Sequence, residues 1–170
     1  SDTTFAGTNY TQDVSPSTTV NVGAATKLQL LVPGEGAVAG STTGKTGTPT
    51  AQVTGTVFTV TVNCVDANWN KVTSANPQVK VSTNDLYDTE PGVQFLSLGT
   101  KTYNVTLVTA GTAVLTAADM ASVYTQNVSP NITVNVNTAV RLQLLVPVET
   151  AVAGLSIGKS GTVSAQTSGT

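Results

Sequence analysis

Three carboxylates, Asp85, Asp88 and Glu90, fall within the stretch NDLYDTEP, and Asp66 and Asp119 close the runs VTVNCVD and LTAAD. Carboxylate oxygens are hard ligands. The chemistry they offer is coordination of a hard cation such as Ca2+, which takes about six to eight oxygens. Their spacing is not that of an EF-hand loop, and the same residue types also fill solvated turns. Asp66, Asp85, Asp88 and Asp119 therefore stand as weak candidate ligands for Ca2+, and no other cofactor is expected. The chain contains no histidine, which excludes Ser–His and Cys–His nucleophile pairs and histidine metal sites. The run from Gly34 to Gly47 contains GKT, but its glycines lack the spacing of a phosphate-binding loop. No catalytic residue is assigned, and an enzyme is not expected.

Other side chains offer contact or modification rather than catalysis. Trp69 sits between Asn68 and Asn70. A ring placed on a turn suits a contact with a neighbouring domain, a fibre strand or a sugar; the alternative is a ring folded back over its own end of the molecule. Asn9, Asn104, Asn127 and Asn131 each open an N-x-S/T triplet, which admits glycosylation in a suitable secreted host, although such triplets arise easily in a Thr-rich chain. Lys45, Lys80 and Lys101 could form isopeptide cross-links to an Asn, with partners that the sequence does not place. Cys64 is the lone cysteine, so no disulfide forms within the chain, and its place in an alternating run predicts a buried small hydrophobe.

The elements that must position these residues read as strands. In GTVFTVTVNCV, Phe58, Val60, Val62 and Cys64 share one face, and Thr59, Thr61 and Asn63 share the other, a period of two. DANWN then reads as a turn. QVKVS, GVQFLSL and KTYNVTLV follow as strands. Ala110–Gly111 reads as a tight turn, after which TAVLTAA is expected to pair back on KTYNVTLV as a hairpin. ITVNV closes the series, and KLQLLV opens it. Residues 34–54, rich in Gly and Thr, read as loop with one short edge strand.

The phrase LQLLVP occurs at Leu28–Pro33 and again at Leu142–Pro147, 114 positions on. At that offset, 30 of the 47 residues from Tyr10 to Thr56 are identical, so the chain contains an internal repeat. Small solenoid units run about 20–50 residues; this period matches a whole domain of about 100–150. The expected organisation is a set of closing strands from one repeat (1–25), a complete repeat (26–139) and the opening of the next (140–170), a window on a longer tandem chain. The joint between repeats is Asn137, Thr138, Ala139 and Val140, too short to behave as a flexible coil.

Charged residues make up 9% of the chain and the net charge is −2. No basic patch exists, so nucleic acid is an unexpected partner, and no run approaches the ~18 apolar residues of a membrane span. Thr, at 32 residues, and Val are abundant; both are β-branched and favour strands. An all-β, Thr-rich exported protein is expected, extracellular or at the cell surface.

VTVNCVDANWNKV resembles the strand–turn–strand of bacterial immunoglobulin-like domains, with Trp69 where a glycine is common. GTKTYNVTLVTAGTAVLTAAD resembles the closing hairpin of the same family. The resemblance covers the middle and later parts of the complete repeat. It implies an Ig-like Greek-key β-sandwich of about seven strands per repeat in a tandem array, as in invasin- and intimin-like surface proteins and the stalks of fibrous appendages. The expected role is a structural module of an extracellular filament, stalk or giant surface protein. Its expected partners are neighbouring repeats and like chains in a fibre. The alternative is an adhesin module that binds a glycan or protein ligand.

Overall fold

The computed structural model describes residues 13–168; Asn9 lies outside them. The strands, in chain order, are β1 (Lys27–Leu31), β2 (Glu35–Ala37), β3 (Lys45–Gly47), β4 (Gln52–Val53), β5 (Val57–Val65), β6 (Gln78–Thr83), β7 (Val93–Phe95), β8 (Thr100–Thr106), β9 (Gly111–Ala113), β10 (Leu115–Asp119), β11 (Asn127–Val128), β12 (Ile132–Asn135), β13 (Thr150–Ala151) and β14 (Lys159–Ser160). The described residues contain no helix.

Alternation places the core. Phe58, Val60, Val62 and Cys64 of β5 are all buried. They lie opposite Leu28 and Leu30 of β1 on one side, where Leu28 faces Cys64 and Leu30 faces Val62. On the other side Val60 faces Tyr103 and Phe58 faces Val105 of β8. This antiparallel sheet, β1-β5-β8, is covered by a second one, β11-β10-β6-β7, which contributes Val79, Val81, Leu115 and Ala117 to the same core. A third sheet, β4-β12-β9, adds Ala113, Ile132 and Val134. The arrangement is an all-β, sandwich-like fold. Tyr103 ties the first two sheets together: its hydroxyl donates to the carbonyls of Val79 at 3.1 Å and Gln94 at 3.3 Å, and burial pushes its pKa up to about 12. Cys64 is buried as expected; burial, with the charge of Asp119 behind it, pushes the thiol up to about 11, which keeps it protonated and inert.

Three local expectations differ from the structure. Residues 13–25, the described part of the expected closing strands, hold no strand and are almost all exposed, because no described strand pairs with them. The segment after Ala110–Gly111 does not pair back on β8. β9 pairs with β12, and β10 pairs with β6 and β11. Gly111, at φ 133, lets the chain turn away so that Ala113, Leu115 and Ala117 enter the core from other sheets. The stretch 34–54 holds three short strands instead of one. β2 and β3 form a hairpin, and β4 runs parallel to β12.

The β2–β3 hairpin recurs 114 residues further on as β13–β14. β13 and β14 pair Thr150 with Ser160 and Ala151 with Lys159, the register in which β2 and β3 pair Gly36 with Thr46 and Ala37 with Lys45. In the first copy Lys45 pairs with Glu35 at 3.2 Å and donates to Leu30 O at 2.8 Å, and Glu35 accepts from Val32 N at 3.1 Å. In the second, Lys159 pairs with Glu149 at 2.7 Å and donates to Leu144 O at 3.3 Å, and Glu149 accepts from Val146 N at 3.0 Å. Val148 even keeps the left-handed backbone of its counterpart Gly34, φ 75 against 92, a strained state for a β-branched residue.

Candidate functional site

The sequence-predicted carboxylates fall at opposite ends of the sandwich-like fold. Asp66 follows β5 and Asp119 ends β10, at the leading end where the chain enters from Gly23. Asp85, Asp88 and Glu90 follow β6, at the trailing end beside the turn after β8. At the leading end, Asp66 accepts from the backbone N–H groups of Asn68 at 2.8 Å, Asn70 at 2.9 Å and Gly23 at 3.0 Å, and from the Asn70 amide at 3.0 Å. Asp119 accepts from Val123 N at 2.8 Å and from Ala121 N and Tyr124 N at 3.2 Å each. These oxygens meet N–H groups, so their chemistry here is the clamping of turns. Among the described residues, no group of three or more His, Cys, Asp or Glu is arranged to hold a metal ion.

Trailing-end carboxylates differ in environment. Burial opposes the ionisation of Asp85, but hydrogen bonds from Thr109, Val108 and Tyr87 outweigh it and hold the group below the usual range. Asp88 is shifted upward by burial, with the charges of Glu90 and Asp85 adding to it, despite a bond from the Thr83 hydroxyl at 2.7 Å. Glu90 accepts from Thr83 N at 3.1 Å.

Trp69 lies back over its own end of the module. The indole donates to Thr42 O at 3.3 Å, Lys27 Nζ stands 3.6 Å from the ring centroid, and a Cβ on Gly44 would collide with the ring. Its φ of 66 is a left-handed backbone that glycine adopts without strain. Of the glycosylation candidates, Asn104 and Asn131 are exposed, while Asn127 accepts from Leu30 N at 2.9 Å. Lys45 is held by Glu35 and Leu30 O; Lys80 and Lys101 lie half-buried on β6 and β8.

Of the residues expected to form a joint, Asn137 and Thr138 carry hydrogen bonds. Asn137 N donates to the Thr54 hydroxyl at 3.1 Å and the Asn137 amide to Thr54 O at 3.2 Å, and Thr138 N donates to Asn137 Oδ1 at 2.7 Å. Ala139 and Val140 are exposed. Gly23, the residue equivalent to Asn137 one repeat earlier, is held instead by Asp66. Nothing in the spelling of DANWN announced that Asp66 reaches 43 residues back to that N–H. The recurring Gly, Thr and Asn positions offered no signal for Thr54 either.

The chain matches no protein-family model and no curated protein. No helix among the described residues is long and apolar enough to cross a membrane.

Acid should loosen the leading end first. The side-chain bond from Asn70, against the cost of burial and with backbone bonds from Gly23, Asn70 and Asn68, lowers the Asp66 pKa from 3.8 to about 2. A depressed carboxylate stabilises the fold above the unfolded value and loses that contribution as pH falls from about 4 through 2. Thermal melting between pH 5 and pH 2 should therefore show a steeper decline for the natural chain than for Asp66→Asn. The variant should melt lower at pH 5, and the two curves should converge near pH 2. Parallel curves would show that Asp66 does not govern the acid limb.

Proposed function

We propose that this chain is a structural repeat module of an extracellular bacterial filament, stalk or giant surface protein, in which tandem Ig-like Greek-key sandwiches form a semi-rigid rod. Residues 26–139 are the complete repeat, 1–25 the end of the one before, and 140–170 the opening of the one after. One observation carries the proposal: the second copy rebuilds the first copy's hairpin, register and ion pair, across a joint whose first residues are bonded to Thr54. A domain-length unit repeated through a short, tethered joint yields reach and stiffness. The finer fold is supported by non-consecutive neighbours in the sheets and by the parallel β4–β12 edge beside antiparallel β9. Like chains are the natural lateral partners, since low charge and the uncovered edge of β7 leave little to oppose pairing. The adhesin alternative has less support, because Trp69 is engaged by Lys27 and Thr42 on its own module.

Electron microscopy of the native source material tests this. With strands of about eight residues at ~3.3 Å each plus loops, the axial repeat should be near about 40 Å per module. Separate, compact particles that bind a glycan array would replace the rod with the adhesin.

A further inference from the structure

Asp85 builds a knob at the trailing end. Its Oδ2 accepts from Val108 N and Thr109 N, both at 2.8 Å, and its Oδ1 accepts from the Thr109 hydroxyl at 2.8 Å and Tyr87 N at 3.2 Å. These bonds fasten the loop after β6 to the turn after β8 and set Tyr87 beside Thr109. Gly154, the last residue of the second AVAG, lies against this knob. A Cβ there would overlap the Thr109 hydroxyl and come within 2.8 Å of the Tyr87 ring.

Burial records the same contact. The second copy is the more exposed one along its apolar strand and hairpin: Val146 is 37% exposed where Val32 is 2%, and Gly158 is half-buried where Gly44 is buried. At the AVAG loop the order inverts. Val152 and Gly154 are half-buried, while Val38 and Gly40 are exposed. Gly40 has the backbone of Gly154, φ 77 against 80, yet a Cβ on Gly40 would meet nothing within 4 Å. Gly40 N donates to Asn68 O at 2.7 Å, but the face where its Cβ would stand is open, whereas in the second copy Tyr87 and Thr109 cover that face of Gly154.

We infer that the Val38–Gly40 surface is a docking site for the Tyr87–Thr109 knob of a preceding copy of this module. Successive modules would then be held by this contact as well as by the covalent joint. The inference rests on the tandem reading proposed above. The recognition is an aromatic ring and a threonine side chain against a loop of small residues, where glycine lets side chains approach the backbone. Asp85 acts as a positioning residue that keeps the knob in shape.

The test compares the full chain with a longer chain in which one further copy of residues 26–139 is inserted after residue 25, so that the repeat register is kept, each carrying Gly154→Ala or Gly40→Ala, the latter in the downstream copy of the longer chain. Amide hydrogen exchange is read at Tyr87 and Thr109, and Trp69 fluorescence confirms that each module is folded. Both substitutions put an L-residue at positive φ, so their backbone strain is matched. In the 170-residue chain, Gly154→Ala should speed exchange at both amides about tenfold, and Gly40→Ala should not. In the longer chain, Gly40→Ala should speed exchange at the preceding copy's Tyr87 and Thr109 to the same degree. If it leaves them unchanged while Gly154→Ala still acts, the docking site is refuted and the tandem rod stands. No effect of either substitution refutes it as well. Solution scattering on the same longer chain checks the rod separately: a maximum dimension that does not grow by about one module length overturns the tandem reading itself.

Discussion

Leu30→Ala should lower the unfolding free energy by about 3–5 kcal/mol, while Leu144→Ala, the same change in the same phrase, should move it by less than about 0.5 kcal/mol. Leu30 is fully buried and faces Val62 across the β1–β5 ladder. Truncating it removes transfer free energy and opens a cavity that a β-sheet, held by its hydrogen bonds, cannot collapse to fill. Leu144 is 78% exposed, so alanine there removes little contact. Location in the fold thus outweighs local sequence: β1 is completed by a strand of the Val57–Val65 kind, and no described strand lies against Arg141–Leu145. Urea unfolding of both variants, with unchanged m-values, checks the pair. Equal losses would mean that both copies are packed in solution.

Period-two alternation made much of the fold legible. β5, β6 and β8 stand where Val, Thr and aromatic residues alternate, because a half-buried strand writes its burial directly into the sequence. Cys64 was readable for the same reason. The hairpin after Ala110 was not, since alternation specifies a face and says nothing about which strand lies alongside; Ala113 pairs with Ile132 of β12 while Leu115, two residues on, pairs with Thr83 of β6. The strands of residues 34–54 are two or three residues long, too short to show any period. At the candidate site, the carboxylates were visible as residues but not as clamps. Asp66 finds Gly23, and Asp85 finds Val108 and Thr109, over more than 20 positions, and such partners appear only once the chain has folded. One signal was present and went unread: Gln29 recurs as Gln143, a polar residue in the middle of each apolar LQLLV run.

That glutamine carries the second large effect. Gln29 is 1% exposed, on the face of β1 opposite Leu28 and Leu30, beneath the β2–β3 hairpin. Its amide donates to Gly44 O at 2.6 Å, and its oxygen accepts from the Asn63 amide at 2.9 Å; Asn63 in turn accepts from the Thr100 hydroxyl at 2.7 Å. The chain of bonds joins the hairpin to β1, β5 and β8. Gln29→Ala would leave the buried Asn63 amide without a partner, at a cost of about 1–3 kcal/mol, while Gly44 O keeps its bond from Val38 N at 2.7 Å, so a loss of about 2 kcal/mol is expected. Gln29→Leu restores the volume but not the bonds, and should recover only part of it. Removing Asn63 as well should cost less than the sum of the two single changes, because the orphaned donor disappears with it. Gln143 makes the matching bond to Gly158 O at 2.7 Å but is exposed, and Gln143→Ala should cost less than about 0.5 kcal/mol. Urea unfolding gives the totals, and hydrogen exchange at Lys45 and Thr46 shows whether the hairpin opens before the rest. Full recovery of stability by Gln29→Leu would mean that Gln29 acts by filling space, and the polar link between hairpin and sheet would have to be abandoned.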